Sequence, residues 1–428
     1  MKIHVVKPGD NIYSIAQMYN VSPQKIIQDN ELKDPNNLVV GETLVIRSPD
    51  NVYVVKPMDT LQKIANMNNT TTIELLQNNP YISNTSVIYP GEEVVINYKD
   101  EPKRGDIEVI GYAYPNIDRK VLFKTLPYLT YLTLFTYGIT NDGELIGIDD
   151  DDLIQIARNY GVAPLMLIST LTEEGTFSNE LAHRILNDQD VQNNLINNIL
   201  ETMKAKKYYG LDVDFEYILP EDRDKYVSFI KNLTDRLNAE GFKVLTALAP
   251  KTSSTQEGLL YEAHDYKKLG DVSNKVLLMT YEWGYTYGPP MAVAPADKVK
   301  EVLDYAVTEI DPSKIYMGIP NYGYDFTLPY EKGKSKADSV SNVEAVDLAK
   351  KVKGEIQFDD ISKAPYYIYY DSNGKQHRVW FEDARSIMDK LDLYSDYDFS
   401  GVGYWNIMRY FPQNWLVLDS LYNIKKVL

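Results

Sequence analysis

Ten residues, Tyr208-Tyr209-Gly210-Leu211-Asp212-Val213-Asp214-Phe215-Glu216-Tyr217, restrict the fold more than any other part of this chain. Read with a period of two, Asp212, Asp214 and Glu216 share one face and Leu211, Val213 and Phe215 the other. On a helix, acids at i, i+2 and i+4 would be splayed around the axis. On a strand they form a column of carboxylates with an apolar back, which a solvated edge strand does not need. A barrel strand does need it. Its outer face packs on helices, its inner face looks into the barrel, and its last acid reaches the C-terminal mouth where barrel enzymes do their chemistry. The competing reading is an amphipathic surface strand. Like charges crowded on one strand face cost stability unless protons or hydrogen bonds relieve them, which favours a catalytic column.

The rest of the chain after residue 105 agrees with a barrel. Apolar runs at 108–114, 131–137, 163–169, 210–216, 243–248, 275–281, 315–319 and 401–405 alternate with helical stretches such as 190–206 and 221–239. That is the pattern of βα units, and eight is the number a closed α/β barrel requires. The spacing breaks only between the seventh and eighth runs. There 366–370, a turn at Ser372-Asn373-Gly374 and 378–381 predict a hairpin, within a small α+β insertion of 325–382.

The first hundred residues contain a repeat. His4-Val5-Val6-Lys7-Pro8-Gly9-Asp10-Asn11-Ile12 returns as Tyr53-Val54-Val55-Lys56-Pro57-Met58-Asp59-Thr60-Leu61. Ile15-Ala16 matches Ile64-Ala65, Ile26-Ile27 matches Leu75-Leu76, Asn30 matches Asn79, and Gly41-Glu42 matches Gly91-Glu92. Each copy reads strand, helix, helix, strand. Ser22-Pro23 opens a second helix with a capping side chain and a proline at its first position, and Thr71 with Glu74 forms a capping box in the other copy. Two copies are too few for a solenoid, so each is a compact module with its own core, at 1–48 and 51–98. A charged, proline-broken stretch at 99–105 is short enough to limit how far the modules swing from the domain at 106–428.

Composition removes several functions. A net charge of −17 makes nucleic acid and anionic membrane surfaces poor partners. There is no cysteine, hence no thiolate chemistry and no disulfide. The four histidines, His4, His183, His264 and His377, are scattered without metal spacing, so neither metal nor cofactor is expected. Gly333-Lys334-Ser335 lacks the earlier glycine of a phosphate loop, and no G-x-S-x-G elbow occurs. No apolar run is long enough to span a membrane, and Met1-Lys2-Ile3-His4-Val5-Val6-Lys7 does not read as a secretion signal. The 35 tyrosines suit a protein that stacks rings on sugar faces.

Gly210-Leu211-Asp212-Val213-Asp214-Phe215-Glu216 resembles the DGxDxDxE signature of family 18 glycoside hydrolases, with Tyr209 where the family has Asp. The resemblance implies a (β/α)8 TIM barrel in which Glu216 is the general acid. Asp214 would orient the substrate's acetamide and Asp212 share a proton with Asp214. Met279-Thr280-Tyr281-Glu282 resembles the family's Met-x-Tyr-Asp element, which implies that Tyr281 donates to the acetamide, with Glu282 one methylene longer than the family's Asp. Trp405 matches the aromatic floor of the reactive subsite. Met279, Glu282, Tyr112, Phe135 and Asn321 are further substrate-binding candidates near strand ends.

The repeats resemble LysM domains, which implies binding of N-acetylglucosamine glycans. The candidate residues are Asp10, Asn11, Ile12, Asn36 and Asn37 in the first copy, and Asp59, Thr60 and Leu61 with the region 83–89 in the second. Two LysM modules before a family 18 barrel resemble a group of endospore enzymes. That implies an N-acetylglucosaminidase acting on spore cortex peptidoglycan during germination, made without a signal peptide; a monomer is expected. The rival expectations are a chitinase and a non-catalytic glycan-binding coat protein.

Overall fold

In the computed structural model, which describes residues 1–82, 88–99, 101–172 and 174–428, eight parallel strands close on themselves. They are β1 (Asp106–Ala113), β2 (Tyr131–Ile139), β3 (Ala163–Ser169), β4 (Gly210–Asp214), β5 (Lys243–Leu248), β6 (Lys275–Leu278), β7 (Ile315–Pro320) and β8 (Gly401–Trp405). Each pairs in parallel with the next, and β8 pairs with β1. Helices cover the outside, among them Gln189–Lys206 and Arg223–Ala239. The fold is therefore the α/β barrel expected.

Two predicted strands end early. The β4–β5 ladder runs only to Val213 against Thr246, and β6 stops at Leu278. Beyond these points the strands diverge at the barrel mouth, so Glu216 and Tyr281 lie on the loops that follow them. Between β7 and β8 a five-stranded antiparallel sheet carries the expected hairpin, Ala364–Tyr370 against Gln376–Trp380, together with the helix Asn342–Val352.

The first N-terminal module pairs Lys2–Val5 antiparallel with Thr43–Ile46 around the helices Ile12–Tyr19 and Pro23–Asp29. The second pairs Pro49–Val54 with Glu93–Tyr98 around Leu61–Met67 and Thr72–Asn78. Each keeps a core of its own. Asn11 and Thr71 close capping boxes, and Ser22 caps a helix with proline in its first turn, as their side chains require.

Both modules are docked on the barrel, a stronger restraint than a short linker alone imposes. The Arg47 guanidinium donates to the Asp419 carboxylate at 2.9 Å with both side chains buried, and Lys103 reaches the same carboxylate at 3.1 Å. The backbone N–H of Arg104 donates to Leu421 at 2.7 Å. The second module is held through the Gln77 amide, which donates to the Pro127 carbonyl, and the Tyr128 hydroxyl, which donates to the Gln77 carbonyl. Among the described residues, no helix is long and apolar enough to cross a membrane.

Candidate active site

The alternation of β4 puts each acid in place. Leu211, Val213 and Phe215 point outward and are fully buried. The Phe215 ring lies between Tyr226 and Phe229 of the helix Arg223–Ala239, at 6.0 and 5.8 Å. The inward side chains are Asp212, buried, Asp214, buried, and Glu216, half-buried at the mouth. Tyr217 then turns the chain away in a left-handed conformation at φ 56°.

Asp214 and Glu216 open onto a cleft of about 770 Å³ that Met279, Tyr281, Glu282 and Trp405 also line. Its remaining wall is largely aromatic, with Tyr114, Phe177, Tyr217, Tyr261, Trp283 and Tyr285, and none of its described lining residues is Lys or Arg. Past Glu282 and Trp405 a second hollow of about 370 Å³ continues to Asn321, Tyr322, Tyr324 and Arg409.

The electrostatics follow from burial. Asp212 is pushed up to about 8, chiefly by burial, against the pull of its hydrogen bond from the Tyr112 hydroxyl at 2.6 Å. Burial also raises Asp214. It raises Glu216 well above the usual carboxylate range, with the neighbouring Asp214 and Glu282 charges adding to the effect. One oxygen of Asp212 and one of Asp214 are buried with no protein partner. A column with fewer charges than carboxyl groups relieves the crowding that the sequence implied. The Tyr281 phenol is raised by burial and by the surrounding acids, so its hydroxyl stays protonated as a donor.

Trp405 is fixed edge-on by three rings, Tyr112 at 5.8 Å, Tyr114 at 6.1 Å and Phe135 at 4.9 Å. Glu282, in a left-handed conformation at φ 69°, is held by the hydroxyls of Tyr322 and Tyr324, the latter at 3.1 Å. Those two tyrosines were not singled out from the sequence. Their place directly after β7, at a barrel strand's C-terminal end, was the available signal.

Other candidates take different places. Tyr112 does not line the cleft: its hydroxyl is committed to Asp212 and its ring to Trp405, because an inward residue of β1 lies beneath the mouth. Asn321 reaches the second hollow, but its amide donates to the Asn406 and Arg409 carbonyls and so holds the loop after β8. Phe135 borders the cleft and supports the Trp405 ring.

In the N-terminal modules, Asn11 and Thr60 cap helices, and Asp10 and Asp59 accept the N–H groups of Lys7 and Lys56. The Ile12 and Leu61 side chains are buried in the module cores and do not face a glycan. Asn36 and Asn37 are exposed. Of the region 83–89, residues 83–87 lie outside the described residues.

Comparison with known proteins matches residues 107–409 to the glycosyl hydrolases family 18 and residues 4–47 and 53–97 to the LysM domain. The chain is 42% identical over 432 residues to the cortical fragment-lytic enzyme of Bacillus subtilis, covering 100% of this chain and 99% of that protein. The crystal structure of the Bacillus megaterium spore cortex-lytic enzyme SleL superposes with a TM-score of 0.84 at 40% identity, over 100% of this chain and 99% of that one. SleL of Bacillus cereus gives 0.84 at 39% identity, over 99% and 98%.

Proposed function

The chain belongs to the family 18 glycosyl hydrolases, with two LysM domains ahead of its hydrolase domain, and from that membership we propose that it is an N-acetylglucosaminidase of spore cortex peptidoglycan fragments, acting in germination with retention of anomeric configuration. The relatives named for cortex lysis match it end to end, which supports the substrate.

One observation carries the mechanism. Asp214 and Glu216 are two residues apart on one segment, roughly 7 Å in Cα separation, and both line the same cleft. They stand on one side of a bound sugar, so neither serves as a base on the opposite face. The nucleophile is then the substrate's own acetamido oxygen, the route by which family 18 departs from the paired-carboxylate scheme.

Glu216, held protonated by burial, donates its proton to the leaving glycosidic oxygen while the acetamido oxygen bonds to the anomeric carbon. The Glu216 carboxylate then takes a proton from water, which attacks that carbon and opens the oxazolinium ring. Asp214 accepts the acetamide N–H and faces the positive ring. Asp212, protonated at neutral pH, shares its proton with Asp214. Tyr281 donates to the acetamide, Trp405 carries the sugar face, and Glu282 meets sugar hydroxyls.

A cleft whose described lining has acids but no Lys or Arg disfavours carboxylate-bearing muramic residues and favours muramic lactam, which lacks the charge. Equal rates on lactam-containing and ordinary wall fragments at low salt would refute that preference.

The test of the function is product analysis on cortex fragments and on chitin oligomers, masses read by mass spectrometry and the initial anomeric configuration by proton NMR, with wild type beside Glu216→Gln. Wild type releases fragments ending in N-acetylglucosamine with retained configuration. The variant loses about 10²–10⁴-fold in turnover. Faster cleavage of chitin oligomers would make the enzyme a chitinase, and inverted products would remove the substrate-assisted route.

A further inference from the structure

His264 is fully buried outside the cleft, and the reaction above makes no use of it. Its Nδ1 lies 2.8 Å from the backbone N of Ala249, and an N–H there can only donate, so Nδ1 is the bare nitrogen. The proton is therefore on Nε2, which donates at 3.0 Å to the carbonyl of Phe215. One imidazole thus joins the chain one residue past the end of β4 to the chain one residue past the end of β5. The β4–β5 ladder has already stopped at Val213 and Thr246. The ring takes the place of the missing ladder bonds, immediately before Glu216.

The ring is itself held in place. It stacks on Tyr226 at 6.0 Å, and Tyr226 stacks on the ring of Phe215 at 6.0 Å. Its backbone carbonyl accepts from the buried Lys251 ammonium at 3.0 Å. Lys251 N–H donates to the Tyr266 hydroxyl, which in turn donates to the Ala249 carbonyl at 2.6 Å. Phe215 is therefore fixed by its ring on one side and its carbonyl on the other. The next residue is the one whose carboxyl must meet the glycosidic oxygen within hydrogen-bond reach.

We propose that His264 is a positioning residue for the general acid: its neutral imidazole clips the Phe215 carbonyl to the end of β5 and so sets where the Glu216 carboxyl stands in the cleft. The inference rests on Glu216 being the acid.

His264→Leu fills the site but neither accepts nor donates. His264→Gln can do both with one amide, accepting from Ala249 and donating to Phe215. The expected result on cortex fragments is a kcat roughly 10- to 100-fold lower for the Leu variant, the scale of a misplaced catalytic group, with KM within about twofold of wild type and largely restored turnover for Gln. In the Glu216→Gln background, His264→Leu should cost nothing further, because it acts through a carboxyl no longer there.

A Leu variant with wild-type kcat overturns the proposal. So do Leu and Gln variants that lose activity and thermal stability equally, or a Leu effect that persists undiminished without the Glu216 carboxyl. If instead Glu216→Gln alone keeps full turnover, the assignment of the acid fails and the fault lies there, not with the imidazole.

Discussion

In the first LysM domain the Asn30 side chain accepts from the Val45 N–H at 2.8 Å, and in the second Asn79 does the same for Val95 at 2.8 Å. Glu42 accepts from the Val39 N–H at 2.9 Å, and Glu92 accepts from the Tyr89 N–H at 2.9 Å. Gly41 and Gly91 donate to the carbonyls of Val6 and Val55, each at 2.8 Å. The internal wiring is the same, yet the surroundings are not. Val39 is buried with Ala345, Ile356 and Tyr367 of the hydrolase domain, whereas Tyr89 is 62% exposed. A Cβ on Gly41 would stand 1.9 Å from the Ile356 carbonyl oxygen, while one on Gly91 would meet nothing within 4 Å. The first copy uses its last turn as a contact with the insertion between β7 and β8, and the second leaves the same turn in solvent. A repeated sequence therefore fixes a module's fold without fixing its role.

The largest effect should come from breaking that docking. Arg47 is buried against Asp419, whereas its counterpart Asn97 is exposed and paired with Asn51. Removing one partner of a buried ion pair costs about 3–5 kcal/mol, at the lower end here because Lys103 still faces Asp419. Arg47→Ala should show this loss in urea unfolding, and Asn97→Ala should stay within about 0.5 kcal/mol of wild type. Equal losses would mean that the two copies are supported alike.

Gly41→Ala and Gly91→Ala come next. Both glycines sit in the left-handed region, at φ 86° and 95°, so both substitutions carry the same backbone strain. Only Gly41 also meets backbone, which adds about 1–3 kcal/mol of overpacking. The melting temperature of the Gly41 variant should fall clearly below that of the Gly91 variant. A common value would place the contact with Ile356 outside what stabilises the protein.

That asymmetry is the part of the molecule least legible in sequence. The eight strands and the acid column can be read because alternation and spacing are local properties of the chain. So can the capping box at Thr71 and Glu74, whose partners lie within a few residues along the chain. What joins distant segments is not legible in this way. Nothing near Tyr112 says that its hydroxyl belongs to Asp212, a hundred residues on. His264 has no metal spacing, which is all its sequence context reveals, while its work is done on Phe215. Arg47 and Asn97 hold equivalent places in the repeat, and only the barrel beside one of them makes the difference. The early end of β4 has the same cause, since a strand stops where its neighbours diverge and not where its alternation stops.

A smaller effect separates binding from stability. If the open turn of the second domain is the glycan-facing one, Tyr89→Ala should weaken pull-down by insoluble cortex glycan by about 0.5–1.5 kcal/mol, the scale of one aromatic contact, with no change in unfolding. Val39→Ala should do the reverse, lowering stability through the contact with the insertion and leaving pull-down unchanged. Binding lost in both variants, or in neither, would reject this division between the copies.

The smallest effect is one of pH, and its sign differs between the copies. Burial raises Glu42, against the pull of Lys350. Its unfolded-state proton therefore leaves first as pH rises, and stability declines above about 4.5; lowering the pH from 7 toward that value recovers it. Asp59 is lowered to about 2, first by its hydrogen bond from the Lys63 ammonium, then by the Lys56 N–H and the Tyr53 hydroxyl. Its contribution is complete above about 4 and is lost as pH falls through 2. Asp10 is lowered as well, by the Lys7 N–H first, so the acid limb below 4 belongs to both domains and only the limb above it distinguishes them. Amide exchange, corrected for intrinsic rates, should slow in the strand Thr43–Ile46 between pH 7 and 4.5 and hold steady in Glu93–Tyr98. Below pH 4 both strands should lose protection. Parallel traces between pH 7 and 4.5 would show that burial of Glu42 against the insertion helix is not felt by the domain that carries it.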